Sequence, residues 1–198
     1  MRFVEPVTLK GRYATLEPLG RGHEAAVKAA AADGELWRLW YTSVPSPENT
    51  SAWLETALAM RENLGAMPFV IHDNATGDIV GSTRYFNVDA AHRRLEIGHT
   101  WHAKRAQRTA INTECKLMLL THAFEVLNCI AVEFRTHFFN FQSRAAIERL
   151  GAKQDGILRN HQIMPDGTLR DTVVFSIIAA EWPAVRKNLL WHLMRPRI

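Results

Sequence analysis

Three strand-like segments follow one another with no helix between them, and that run limits what the chain can fold into. Phe69-Val70-Ile71-His72 and Ile79 to Tyr85 flank Asp73-Asn74-Ala75-Thr76-Gly77-Asp78, a polar segment of hairpin type. Arg94 to His102 then alternates Leu95, Ile97, His99 and Trp101 with Glu96, Gly98, Thr100 and His102, the period of a strand. A regular doubly wound sheet needs a crossover helix after each parallel strand, so hairpin-linked strands in succession exclude it. The pattern predicts a mixed α/β sheet, mostly antiparallel, with helices on both faces.

The remaining elements fall around this run. Residues 12–19 read as a first strand, and the Ala-rich stretch His23 to Ala32 as a helix. Ser46-Pro47 reads as an N-cap and first helical position, opening a second helix with Trp53, Leu54, Ala57, Leu58 and Leu64 on one face. The clearest helix carries a stripe of Ile111, Cys115, Met118, Leu119, Ala123, Val126 and Leu127. A strand follows, with Ile130, Val132, Phe134, Thr136 and Phe138 against Glu133, Arg135 and His137. A short helix from about Phe141 to Leu150 stops at Gly151, as a left-handed C′ position favours. Two strands near Ile157–Met164 and Thr172–Ile178 meet at Pro165-Asp166-Gly167, and a Trp182–Ile198 helix closes the chain. One domain over 1–198 is the expectation.

Composition narrows the function classes. A hydrophobic share of 47% with nine Phe excludes an intrinsically disordered chain. No transmembrane run and no secretory h-region are visible. Cys115 and Cys129 lack CxxC or Cys/His spacing, so neither a disulfide framework nor a structural metal is expected, and a cytoplasmic location is. The net charge of +4 is spread along the chain with no recognised nucleic-acid motif. Neither nucleic acid nor membrane is an expected partner.

The junction Lys104-Arg105-Ala106-Gln107-Arg108-Thr109-Ala110-Ile111-Asn112-Thr113 enters the striped helix. Backbone N–H groups at a helix start lack internal partners, and the dipole makes that end positive. With three cations and a hydroxyl beside it, the segment is a candidate phosphate or pyrophosphate site. A solvated basic helix start would look the same.

Strand, Gln-x-x-small-x-small loop, helix, strand, then Asn140-Phe-Gln-Ser143-Arg-Ala-Ala-Ile-Glu-Arg-Leu-Gly151 resembles the GNAT superfamily of acyl-CoA-dependent N-acetyltransferases, in particular its ribosomal-protein N-terminal acetyltransferase branch. The resemblance extends from Leu9-x-Gly-Arg-x-x-x-Leu-Glu-Pro-Leu19 through Leu95-Glu-Ile-Gly98 to Arg170-Asp-Thr-Val-Val-Phe-Ser176. It implies the GNAT fold, an acyltransferase activity, acetyl-CoA as cosubstrate, no metal, and an amine acceptor. In the family loop the two small positions are usually Gly and Gly/Ala; here they are Ala110 and Asn112. Ala adds one methyl, and Asn tolerates unusual backbone angles.

The resemblance also assigns residues. Gln107, Arg108, Thr109, Ala110, Ile111, Asn112 and Thr113 would hold the pyrophosphate. Asn140 would touch the pantetheine arm while capping its helix, and the strand edge Gly98–His102, with Trp101 and His102, would polarise the thioester carbonyl. Ser143 would return a proton to the leaving thiolate, because Ile147 stands where many GNAT enzymes place a tyrosine. For the base, Glu96 and Asp171 are the acidic candidates, and His102 and His137 have a suitable intrinsic pKa. Trp40 and Tyr41, with Trp37, would border the acceptor pocket. Cys115 and Cys129 read as buried apolar residues, not nucleophiles. The expected activity is acetyl transfer to a primary amine, a protein N-terminus or a small molecule, by direct attack in a ternary complex. The alternative is a non-catalytic acyl-CoA-binding regulatory domain of the same fold. The sequence leaves open the acceptor, the acyl preference and whether the C-terminal helix joins a homo-oligomer.

Overall fold

A computed structural model describes residues 2–195. Its elements run β1 (Leu9–Lys10), β2 (Ala14–Pro18), α1 (Glu24–Ala32), α2 (Thr50–Leu64), β3 (Met67–Asp73), β4 (Ile79–Asp89), β5 (Arg94–His102), α3 (Ile111–Thr121), β6 (Ala131–His137), α4 (Phe141–Leu150), β7 (Lys153–Ile163), β8 (Leu169–Ile178) and α5 (Trp182–Met194). Eight strands form one open sheet in the order β1-β2-β3-β4-β5-β6-β8-β7. β5 and β6 are parallel; every other neighbouring pair is antiparallel. This is the mixed α/β architecture that the hairpin run predicts, with the two-residue β1 added at one edge.

Helices cover both faces. Arg84 of β4 lies over the Trp53 ring of α2, whereas its neighbour Tyr85 points the other way and donates to the Leu119 carbonyl of α3 at 2.5 Å. Successive strand residues face opposite sides, so these two contacts label the α2 face and the α3 face of the whole sheet. α1 packs with α2, and α5 with α3. β3 lies between the two layers, and Met67, Phe69, Val70 and Ile71 are all buried, the continuous apolar run of a strand covered on both sides.

Several elements depart from the sequence pattern. Ser46-Pro47 forms a turn rather than the helix start. Asn49 N–H donates to the Ser46 carbonyl at 3.0 Å, and α2 begins at Thr50, whose hydroxyl returns to that carbonyl at 3.1 Å. α3 continues into a π-helical turn, His122–Val126, with Leu127 N–H donating to His122 O at 3.0 Å. Within the wider turn Val126 is 61% exposed, while Ala123 and Phe124 are buried. Ile130 precedes β6 and is exposed as well. The helix expected over Trp182–Ile198 is α5, ending at Met194; 196–198 lie outside the described residues. Gly151 does close α4 in the left-handed region, at φ 101°.

Candidate active site

β5 and β6 pair at Arg94–Ala131, Leu95–Val132 and Glu96–Glu133, and then diverge. Past that point Gly98–His102 and Phe134–His137 form opposite walls of a cleft of about 340 Å³. A β-bulge bends β5 at this position. Arg84 faces Gly98 and Ser82 faces Trp101, so His99 and Thr100 together oppose Thr83. His99 takes the left-handed φ of 48°, which breaks the strand alternation expected from sequence. The Thr83 and Thr100 hydroxyls bond each other at 2.8 Å across the bulge. Gly98 is needed for the approach, since a Cβ there would sit 2.6 Å from the Phe86 ring.

Below the bulge the loop into α3 is held by its own side chains. The Gln107 amide donates to the His102 carbonyl at 3.1 Å. The Thr109 hydroxyl donates to Ala106 O at 2.7 Å and accepts Ile111 N–H at 3.3 Å. The N–H groups of Arg108, Thr109, Ala110, Asn112 and Thr113 meet no acceptor among the described residues. Five free donors at the positive end of a helix match the polarity of a pyrophosphate. The left-handed position in this loop is Arg108, at φ 59°, while Ala110 is right-handed at φ −68° and Asn112 lies inside α3. Neither substituted small position therefore requires a glycine conformation. The Asn112 carbonyl oxygen lies 3.2 Å from His102 Nε2. Thr113 is buried and accepts from Arg149 at 3.3 Å, tying α3 to α4.

α4 meets the same cleft. The Asn140 side chain accepts Ser143 N–H at 3.0 Å, the predicted N-cap. Ser143 lines the cleft, and its hydroxyl has no hydrogen bond within the chain among the described residues; Ile147 lines it one turn later. From the α3 side comes Lys116, a residue that the sequence reading passed over. Its ammonium donates to Thr100 Oγ1 at 2.7 Å, and burial brings its pKa down to about 8.

On the α2 face the register gathers charge. Arg84 pairs with Gly98, and Glu96 lies two residues before it on the same side. Glu96 pairs with Glu133, followed on that side by Arg135 and His137; His137 pairs with Thr172, two residues from Arg170. Glu96 is 3% exposed and sits beneath the cleft wall, with Asn87 Nδ2 at 2.9 Å and Arg135 Nε at 3.4 Å. Burial pushes its pKa up to about 7, more than Asn87 and Arg135 pull it down. Arg135 is shared with Glu133, at 2.9 Å, which is also held by Arg94 at 2.6 Å. His99 is held at about 3 by burial and by Arg84 and Arg170.

His137 is buried, and its Nδ1 accepts Phe139 N–H at 3.1 Å. The ring proton is thereby assigned to Nε2, a buried donor with no partner in the chain. His102 is pulled down to about 4 by burial. Asp171 is drawn away from the cleft: Arg159 and Asn160 N–H bind its two oxygens and hold its pKa below the usual carboxylate range. Tyr41 lines the cleft; Trp40 is more than half exposed at its rim, edge-on to His137 with ring centroids 4.8 Å apart. Trp101 is buried edge-on against Trp53. Trp37 lines a separate shallow pocket with Trp53. Burial raises the Cys115 thiol to about 12 and the Cys129 thiol to about 11. Among the described residues no group of three or more His, Cys, Asp or Glu could hold a metal ion, and no helix is long and apolar enough to cross a membrane.

The sheet thus parts at its one parallel junction, beside a donor-rich helix start. Residues 14–153, more than half of the chain, match the acetyltransferase (GNAT) domain model, and the chain belongs to that family of acyltransferases. YdaF of Bacillus subtilis (strain 168), named as a ribosomal N-acetyltransferase, is 33% identical over 106 residues, 54% of this chain and 57% of its own length. The chain thus matches little more than half the length of that relative. A GCN5-related N-acetyltransferase from Brucella melitensis superposes with a TM-score of 0.85 at 29% identity, over 96% of this chain and 86% of its own. Mycobacterium smegmatis RimJ, solved with CoA-disulfide, shares the fold at 24% identity and a TM-score of 0.77, over 94% and 95% of the two chains.

Proposed function

We propose that residues 1–198 act as one catalytic domain that moves an acetyl group from acetyl-CoA to a primary amine by direct attack in a ternary complex. The observation that carries this reading is the parting of β5 and β6, which opens the cleft beside both the Gln107–Thr113 loop and the Asn140–Ser143 helix start. Acetyl-CoA would bring an activated thioester; every other task falls to the chain. The free N–H groups at Arg108–Thr113 hold the pyrophosphate, and Asn140 orients the pantetheine arm. The unpaired β5 edge at the bulge polarises the carbonyl, where preorganised donors are most effective. Glu96 takes the proton of the acceptor through water: it is near half-ionised at neutral pH, whereas Asp171 is a weaker base engaged by Arg159. Ser143 returns a proton to the sulfur. Two buried thiols of raised pKa give no covalent route. The reduced, unpaired cysteines also support a cytoplasmic setting.

The test has two arms. CoA should raise the melting temperature, and Ala110→Val, which crowds the cradle, should abolish that rise while the unliganded protein stays folded. Acetyl-CoA with a panel of amines should release thiol. Absence of the CoA-induced rise, or of thiol release with any amine, overturns the reading.

A further inference from the structure

The α2 face of the cleft carries more positive charge than the chain neutralises. Arg84, Arg94, Arg135 and Arg170 stand on this side of β4, β5, β6 and β8 with the carboxylates Glu96 and Glu133, and with Asp89 at the far end of β4, which is paired with His92. Arg94 and Arg135 take Glu96 and Glu133. Arg84 is buried with Met60 Sδ and the Trp53 ring for neighbours, and Arg170 makes one hydrogen bond, from Nε to Thr172 Oγ1 at 3.0 Å. Neither has a carboxylate within 4.0 Å among the described residues. Asp171, adjacent in sequence, is spent on Arg159.

Arg170 lines the cleft and is half-buried. On the neighbouring strand, one register step away, His137 lines the same wall with its Nε2–H buried and unpartnered. An orphaned buried donor is costly unless a ligand completes it, and the guanidinium beside it feels Glu96 only at a distance, with no carboxylate in contact. Guanidinium and imidazole N–H together suit an oxyanion better than a neutral carbonyl.

We infer that Arg170 and His137 bind an anionic group on the amine acceptor itself, a carboxylate or a phosphate, so that the enzyme selects zwitterionic amines and rejects polycations. The inference rests on the proposed acetyl transfer and adds the acceptor class. The same cations disfavour a bound ammonium, so an acceptor held by its anion loses its amine proton more readily.

Thiol release with acetyl-CoA tests it on matched acceptors: an α-amino acid against its α-amide, O-phosphoethanolamine against ethanolamine, and spermidine. The expected result is a kcat/KM about 10- to 100-fold higher for the anionic member of at least one pair, carried by KM, with spermidine poorest. The pair that shows it identifies the anion as carboxylate or phosphate. Arg170→Gln should bring that preference to about one and Arg170→Lys restore part of it. The CoA-induced melting shift in both variants shows that they are folded. Equal or better turnover of amide, ethanolamine and spermidine overturns this inference and leaves acetyl transfer standing. No thiol release with any amine, while CoA still stabilises the protein, overturns the transfer reading and this one with it.

Discussion

The buried Glu96 carboxyl links stability to pH and, as the base proposed above, would link catalysis to it as well. Its folded pKa of about 7 lies above the ordinary carboxyl value of 4.5, so the folded state favours the protonated form. At pH below 4.5 both states bind the proton and the group contributes nothing; as pH rises from 4.5 to 7 the unfolded chain ionises while the folded one resists, and stability is lost. With about 1.4 kcal/mol per pKa unit the full loss is about 3 kcal/mol, of which about 2.5 falls between pH 5 and pH 8. The side chain is 4% exposed, so solvent screening removes little of this. Glu96→Gln cannot ionise and should flatten that part of the profile. Urea unfolding of both proteins at pH 5, 6, 7 and 8 measures the difference directly, with the wild type losing about 2–3 kcal/mol relative to the variant. In rate measurements the wild type should gain kcat/KM as pH rises through about 7, while the variant should be slower and rise with the ionisation of the acceptor instead. Parallel stability profiles for the two proteins would refute the desolvation argument. Parallel rate profiles would remove Glu96 as the base.

Ser143→Ala should lower kcat by about one to two orders of magnitude and leave the CoA-induced melting shift in place, as steady-state rates and thermal melts can show. Glu114 accepts backbone N–H from Arg12, Tyr13 and Ala14 at 2.9, 2.6 and 2.8 Å, pinning β2 to α3. Glu114→Ala strands those donors and should cost about 3 kcal/mol, a Tm fall of about 6–12 °C by calorimetry. The Cys115→Ala, Cys129→Ala double variant should keep its turnover while losing about 1 kcal/mol of stability per site. Mass spectrometry that finds an acetylated cysteine during turnover would contradict direct attack.

Local chemistry made much of the fold legible. The Asp73–Asp78 turn, β5 at Arg94–His102 and the Asn140 cap are each written in a few adjacent residues, and the structure has all three. The bulge was not legible, because His99 adopts its left-handed angle through the Thr83–Thr100 contact and the Gly98–Phe86 approach, both long-range. Val126 fits a 3.6 period, and that period gives no sign of the π-turn at His122–Val126 that displaces it. At the site, the loop entering α3 could be found from its basic, hydroxyl-bearing run into a helix. Arg84 and Arg170 could not, since an arginine reads as a solvated charge until register decides which face it shares and with whom. Asp171 is the converse case: a promising acid in sequence, its partner Arg159 lies across a strand pair that sequence alone does not align.

The short junction between β5 and β6 has a further consequence for how the molecule comes apart. Three register pairs join these strands, against seven between β6 and β8. Strands β1 to β5 form one block of antiparallel pairings, and β6 to β8 form another. The seam between the blocks is the one parallel pairing, with α3 in the connection that crosses it. Native-state hydrogen exchange should therefore report two cooperative units that separate along this line. Acetyl-CoA held in the cleft as proposed would bridge both units, so its occupancy should merge them into one.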